Sequence, residues 1–113
     1  MDRDFLKKID SFNDELINIR RHIHSHPELS GLENQTAILI SGFLKNIGWS
    51  VTESIGRTGV VAEFGPKEKG FIGLRVDMDA LPIYENTNLS FASKVDGVMH
   101  ACGHDLHICI GLG

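Results

Sequence analysis

The first half of the chain has two stretches in which apolar residues recur every three or four positions, as they do on one face of an amphipathic helix. The first stretch predicts a helix from about residue 3 to about residue 25. It should end near Pro27, because proline disfavours helix in the residue before it. The apolar positions of this helix are Phe5, Ile9, Phe12, Leu16, Ile19 and Ile23.

The second stretch predicts a helix that begins shortly after Ser30 and ends before Gly48. Ser30 and Glu33 lie three residues apart, which is the spacing of a capping box, and a glycine is a common helix stop. The apolar positions of this second helix are Ala37, Ile40, Leu44 and Ile47.

The middle of the chain has the composition of β-strands. Residues 49–55 (WSVTESI) and 60–64 (VVAEF) are separated by a turn at residues 56–59. The turn at residues 65–70 (GPKEKG) joins the second of these runs to an apolar run at residues 71–76. We therefore predict that residues 60–64 and 71–76 form a hairpin of largely buried strands.

The last third of the chain combines a long loop with the start of a helix. Periodicity is lost between residues 80 and 98, and a loop of that length in a compact domain is usually functional. From about Asp105 the pattern LHICIGLG predicts a helix. Because the sequence ends within about two turns of that point, we expect the chain to be an N-terminal piece of a longer protein.

Composition excludes several classes of protein. The 113 residues fit one domain, and a chain that is 42% apolar and 23% charged, with a net charge of -4, is typical of a soluble globular protein without a basic patch for nucleic acid. No apolar run approaches the roughly 20 residues of a membrane span, and the charged start has no signal-peptide core. We expect a cytoplasmic protein that binds neither nucleic acid nor membrane.

Two cysteines, Cys102 and Cys109, lie near the end of the sequence. In a reducing compartment they are expected to be thiols, one of them a candidate ligand, and not a disulfide. A thiol-regulated protein is an alternative that would require them to pair, although the sequence has no CxxC motif.

A first candidate site is the stretch RVDMD, which ends an apolar run. Carboxylates at the ends of strands are well placed to line a ligand crevice, which favours Asp77 and Asp79 as functional residues. The alternative is structural, since aspartate is common in turns and could also pair with Arg75.

A second candidate site is the stretch VMHACGHDLH. A cysteine and a histidine separated by one glycine, Cys102 and His104, can reach one ion, and nitrogen and sulfur ligands favour zinc or a similar transition metal. Two ligands do not complete a site. The remaining ligands would come from outside this chain or from the nearby residues Asp77, Asp79, His100 and His107.

A third cluster is HIHSH at the end of the first predicted helix. On a helix only His22 and His26 share a face. Histidines also interact favourably with a helix C-terminus, so we interpret the three histidines of this cluster, His24 included, as surface or capping residues.

Four blocks of the sequence together resemble the metal-dependent amidohydrolases of the aminoacylase and hippurate hydrolase type. This metallopeptidase family includes N-acyl-amino-acid amidohydrolases, auxin-conjugate hydrolases and N-acetyldiaminopimelate deacetylases. The blocks are RRHIHSHPELSGLENQT, TGVVAEF, GLRVDMDALPIYE and GVMHACGHDLHICIGLG, of which DMDALP followed by HACGHD is highly specific. The resemblance implies the N-terminal part of a three-layer α/β/α zinc-peptidase-like catalytic domain.

The resemblance also implies roles for individual residues. Cys102 and His104 match the family's metal ligands, the cysteine being suited to bridge two metals. Asp79 looks like the aspartate that orients the site, and Asp77 stands where related peptidases carry a ligand histidine. His107 is expected, like His100, to lie behind the ligands or beside the substrate.

The implied reaction is hydrolysis of the amide bond of an N-acyl amino acid, with one or two divalent ions (manganese, zinc or cobalt) activating water and a glutamate as general base. His24, Pro27 and Glu28 match the family's HxxPEL turn, for which we expect a structural role.

In the family the general-base glutamate, further ligand histidines and a lid or dimerisation domain follow these blocks. We therefore expect residues 1–113 to be the N-terminal segment of the catalytic domain, inactive alone, of a full-length protein for which a homodimer is one expected state. A non-catalytic metal-binding or scaffold module is the alternative.

Overall fold

The computed structural model describes residues 3–113, apart from the side chain of Phe5. The helices and strands, in chain order, are α1 (Arg3–Ser25), α2 (Asn34–Asn46), β1 (Ser50–Ile55), β2 (Gly59–Glu63), a short 3-10 turn (Lys67–Lys69) and α3 (His104–Leu112). All three predicted helices are confirmed. Residues 80–98, predicted to be a loop, contain neither a helix nor a strand.

Helix α1 buries only the C-terminal part of its apolar face. Ile23 is buried with Ile40 of α2 and Ile108 of α3, and these three side chains form the centre of a small core. Nearer the N-terminus, Phe12 remains 49% exposed. Phe5, the first predicted position on this face, lies outside the described side chains. Within residues 3–113, no helix combines the length and the apolarity that a membrane span requires.

The start of α2 is capped by Glu28, which precedes the helix by several residues. Its carboxylate accepts hydrogen bonds from the backbone N–H groups of Gln35 (3.0 Å) and Thr36 (2.8 Å) and from the Thr36 hydroxyl (2.7 Å). The first N–H groups of a helix have no partner within it, so an external carboxylate satisfies two of them and also complements the helix dipole. This is the structural role expected for the HxxPEL turn.

The capping box predicted at Ser30 and Glu33 does not form. Glu33 takes the cap position without a side-chain cap hydrogen bond, and its carboxylate instead accepts the hydroxyl of Thr58 at 2.7 Å. Burial acts to raise the pKa of Glu33, but hydrogen bonds from Thr58 and backbone N–H groups, together with the charge of Arg57, lower it overall. Glu33 thus ties the β1–β2 turn to the start of α2.

The predicted pairing of strands is wrong. The hairpin joins β1 and β2, which run antiparallel with Val51 opposite Ala62 and an irregularity before Ile55. Residues 71–76 form no strand within residues 3–113, and the side chain of Ile72 is fully exposed. The three-residue turn at 56–58 joins β1 to β2, whereas the link at 65–70 contains the 3-10 turn and leads to no paired strand within residues 3–113.

The backbone around residue 80 is held by two isolated bridges. Ala80 N–H donates to the carbonyl of Glu28 at 2.8 Å, within a parallel bridge between Leu29 and Ala80. Leu81 and Met99 exchange two hydrogen bonds of 2.9 and 3.0 Å. These bridges place the end of the RVDMD stretch beside the turn after α1 and beside the segment that leads to α3.

Candidate functional site

The contact between Asp79 and His104 is the centre of the candidate site. His104 is the first residue of α3, and its ring Nδ1 lies 2.9 Å from the backbone carbonyl oxygen of Asp79 and 3.1 Å from its carboxylate Oδ1. A carbonyl oxygen can only accept, so Nδ1 carries the proton. In a neutral imidazole this leaves Nε2 with a free lone pair, which is the form in which histidine binds a metal.

Cys102 lies two residues before His104 and is an exposed free thiol. Gly103 between them has φ +81°, a left-handed conformation that glycine adopts without strain. This conformation allows the chain to turn tightly between the two candidate ligands.

The second cysteine differs from the first in its exposure and in its contacts. Cys109 is buried within α3, its thiol donates to the Leu16 carbonyl at 3.4 Å, and burial raises its pKa to about 11. Both cysteines are free, as predicted, so the pairing that a thiol-regulated protein would need is absent. Of the two, only Cys102 has the exposure of a reactive or ligand thiol.

Asp77 makes the contact with Arg75 that its structural alternative expected, and its role at the site stays a prediction. Its carboxylate pairs with the Arg75 guanidinium at 2.6 Å, and its side chain is 47% exposed. An exposed pair of this kind contributes little stability. The two aspartates of the RVDMD stretch thus have different neighbours, since only Asp79 contacts His104.

The four residues predicted for the site do not form a complete metal-binding group. In the part of the chain that the structure describes, no three His, Cys, Asp or Glu side chains are arranged to hold one ion. Cys102 and His104 therefore remain two candidate ligands, and the origin of any further ligands stays a prediction.

A buried network of charged residues lies directly behind His104, and sequence reasoning missed it. Asp105 is 1% exposed, and its Oδ2 lies 3.2 Å from Arg20 Nε and 2.8 Å from His24 Nδ1. The other ring nitrogen of His24, Nε2, lies 3.0 Å from Glu85 Oε1. We refer to Arg20, His24, Glu85 and Asp105 as the Asp105 network.

The interpretation of His24 as a surface or capping residue is wrong, because its side chain is buried between two carboxylates. An ionised carboxylate can only accept, so both contacts are hydrogen bonds at once when the imidazole is protonated. Arg20 and His24 then balance the charges of Asp105 and Glu85. The one sequence signal was the four-residue spacing of Arg20 and His24, which places both on one face of α1.

Glu85 connects the network to the long loop. It accepts the backbone N–H of Ser93 at 2.6 Å and the Thr87 hydroxyl at 2.5 Å. Burial acts to raise the pKa of Glu85, but these hydrogen bonds and His24 lower it overall. Glu85, the last residue of the block GLRVDMDALPIYE, had no role assigned from the sequence, and its hydrogen bonds hold residues 85, 87 and 93 together.

His100 is buried beside the network, with its ring centre 6.4 Å from that of His24. Among the residues that the structure describes, neither of its ring nitrogens has a hydrogen-bond partner. Burial lowers the pKa of His100, against the opposing effect of the charge of Asp105. It is therefore a neutral histidine at ordinary pH.

The remaining histidines at the end of α1 behave as predicted. The rings of His22 and His26 stack with their centres 4.5 Å apart, which confirms that they share a face. His26 Nδ1 donates to the His22 carbonyl at 2.9 Å and so caps the last turn.

Known proteins similar to this chain are hydrolases. Residues 73–113 match the model of peptidase family M20/M25/M40. The chain is 49% identical over 105 residues to the N-acetylcysteine deacetylase of Bacillus subtilis, covering 91% of this chain and 28% of that protein. It is 53% identical over 95 residues to the hippurate hydrolase of Campylobacter jejuni, covering 82% and 24%. The chain spans about a quarter of the length of the curated relatives it matches.

The fold also has a counterpart among solved structures. The crystal structure of Bacillus subtilis YxeP, described as a dinuclear metal binding peptidase from the M20 family, matches with a TM-score of 0.84 at 48% identity, over 91% of this chain and 29% of that one. The three helices and the hairpin correspond to the N-terminal part of that fold. The predicted fold class is confirmed.

Proposed function

Because the chain belongs to peptidase family M20/M25/M40 and corresponds to its N-terminal part, we propose that it contributes to the hydrolysis of the amide bond of N-acyl amino acids. The observation that carries this proposal within the molecule is the contact between Asp79 and His104, next to the exposed thiol of Cys102. Relatives named as an N-acetylcysteine deacetylase and a hippurate hydrolase support the substrate class.

The donor atoms of Cys102 and His104 fit a divalent transition metal. A thiolate and an imidazole nitrogen suit zinc, and manganese or cobalt are the other ions we propose. That a relative is described as dinuclear supports two ions in the complete site. The remaining ligands would come from residues that this chain does not supply, since the described residues contain no group of three.

When bound, such an ion lowers the pKa of water and polarises an amide carbonyl. The residues of this chain would hold the ligands for that chemistry. Asp79 keeps the proton of His104 on Nδ1, so that Nε2 is presented as a neutral donor. Asp77 is proposed as a second carboxylate at the edge of the site, where its exposure leaves it accessible to a ligand.

We propose further that hydrolysis requires parts of the family fold that this chain does not cover, and that the 113 residues alone are inactive. A cytoplasmic location, a small-molecule substrate and a homodimeric full-length form complete the proposal. The alternative of a non-catalytic metal-binding or scaffold module has no observation that favours it.

A chimera tests the function directly. The matching N-terminal segment of Bacillus subtilis N-acetylcysteine deacetylase, 105 residues at 49% identity, is replaced by this chain. We expect the chimera to hydrolyse N-acetyl amino acids or hippurate when manganese, cobalt or zinc is added, and the 113-residue chain to show no turnover. Cys102→Ala or His104→Ala in the chimera should lower kcat/KM by more than about 100-fold, because loss of a ligand exceeds loss of a group behind it.

His22→Ala is the matched control, since His22 is an exposed histidine of α1 for which no role at the site is proposed. It should retain metal content and rate. The ligand assignment would be refuted if both Cys102→Ala and His104→Ala kept normal metal content and rate. The scaffold alternative would be favoured if a soluble, folded chimera bound metal but hydrolysed none of these substrates.

A further inference from the structure

We propose that Asp105, held by Arg20 and His24, is a positioning residue for the candidate ligands at the start of α3, Cys102 and His104. This inference rests on the proposed function and names what keeps that site in place.

The carboxylate of Asp105 joins the start of α3 to α1. Its Oδ2 accepts hydrogen bonds from Arg20 Nε at 3.2 Å and His24 Nδ1 at 2.8 Å, and these donors lie one turn apart on α1. Hydrogen bonds between charged groups are among the stronger ones in proteins, and a buried carboxylate cannot exchange them for water. Because His104 is the chain neighbour of Asp105, it cannot shift without disturbing both bonds.

The partner of His104 is placed by the turn that follows the same helix. Ala80 N–H donates to the Glu28 carbonyl at 2.8 Å, and Asp79 directly precedes Ala80. The turn after α1 thus positions Asp79, while α1 itself positions His104 through Asp105. Their 2.9 Å contact requires both attachments to be correct at once.

The segment that carries Cys102 is attached to the same framework. Met99, which lies three residues before Cys102, exchanges two backbone hydrogen bonds with Leu81. The loop between Leu81 and Met99 is attached to α1 by the contact of Glu85 Oε1 with His24 Nε2 at 3.0 Å. One nitrogen of His24 therefore serves the start of α3 and the other serves the loop that leads to the thiol.

The test compares Asp105→Asn with Ile108→Ala in the 113-residue chain. The first change preserves size and removes the charge. The second opens a cavity on the same helix and removes no contact of the site, so it controls for lost stability. Two properties are measured: the tautomer of His104 by 15N NMR without metal, and the affinity for Cd²⁺ from the absorption of the Cys102 thiolate complex.

In the unmodified chain and in Ile108→Ala, we expect the His104 proton to stay on Nδ1. In Asp105→Asn we expect a mixture of tautomers and an affinity for Cd²⁺ that is about 10- to 100-fold weaker, the usual cost of losing a group behind a ligand. If Asp105→Asn does not fold, Arg20→Gln removes one of the two donors, and a smaller change in the same direction is expected.

The positioning role is wrong if Asp105→Asn retains both the tautomer and the affinity, or if Ile108→Ala loses them equally. Failure of the unmodified chain to bind Cd²⁺ would instead count against the ligands of the proposed function. The tautomer comparison, which needs no metal, would then decide the positioning role alone.

Discussion

The cap of α2 by Glu28 leads to a sharp prediction about stability. Replacement of Glu28 by alanine removes the acceptor of two backbone N–H groups and one hydroxyl at the start of the helix. Loss of a helix cap costs about 1–2 kcal/mol, and loss of a negative charge near the positive end of the helix dipole costs about 0.3–1 kcal/mol. We therefore expect the free energy of unfolding to fall by roughly 1.3–3 kcal/mol.

Glu28→Gln should cost less, about 1 kcal/mol, because the amide keeps one oxygen that can accept a hydrogen bond but loses the charge. The assay is urea unfolding followed by circular dichroism. With a slope near 1.5 kcal/mol per molar urea, typical of a small protein, the alanine variant should shift the midpoint by at least about 1 M.

Two further variants make the reasoning refutable. Ser30→Ala removes the residue that the sequence suggested as the cap, and Glu68→Ala removes an exposed glutamate of the 3-10 turn. Both should leave the midpoint within about 0.3 M. If Ser30→Ala destabilised the protein as much as Glu28→Ala, the capping box would be the true cap and the role assigned to Glu28 would be incorrect.

Three other predictions concern charge, thiols and packing. The pKa values of Glu33 and Glu85 are lowered in the folded protein, so both carboxylates stabilise the fold above their ordinary pKa of 4.5. This stabilisation is lost as the pH falls through the lower pKa values of the folded protein. The free energy of unfolding measured between pH 6 and 3 should therefore decrease, and a pH-independent free energy would contradict the prediction. With a pKa of about 11, Cys109 has roughly one thousandth of its thiol ionised at pH 8. Iodoacetamide should therefore modify the exposed Cys102 first. Equal rates of modification of the two cysteines, measured by mass spectrometry, would argue against the burial of Cys109. Ile108→Ala should cost about 2–5 kcal/mol in urea unfolding, since Ile108 is 1% exposed, and a cost below about 1 kcal/mol would mean that the core lies elsewhere.

The helices were predictable because their signals are local. The apolar spacing that ends at Ile23 predicted α1, and Gly48 predicted the end of α2. Each signal depends on a few neighbouring residues, and the structure has both features, with Gly48 at a positive φ. The pairing of strands was not predictable in the same way. Strand composition at residues 60–64 does not specify which neighbouring segment will pair with them, and in the structure that segment is β1, across the turn at 56–58.

The candidate site also combines features that the local sequence predicts with features that depend on long-range contacts. The sequence alone proposed Asp79, Cys102 and His104 as site residues, since their motifs are short and chemically specific, and it indicated the family. Only the tertiary structure showed that Asp79 contacts His104. It also showed that the Asp105 carboxylate contacts the ring of His24, which lies 81 positions earlier in the chain. Periodicity and motif spacing describe interactions over a few residues, whereas the burial of a charged pair depends on how distant segments pack together.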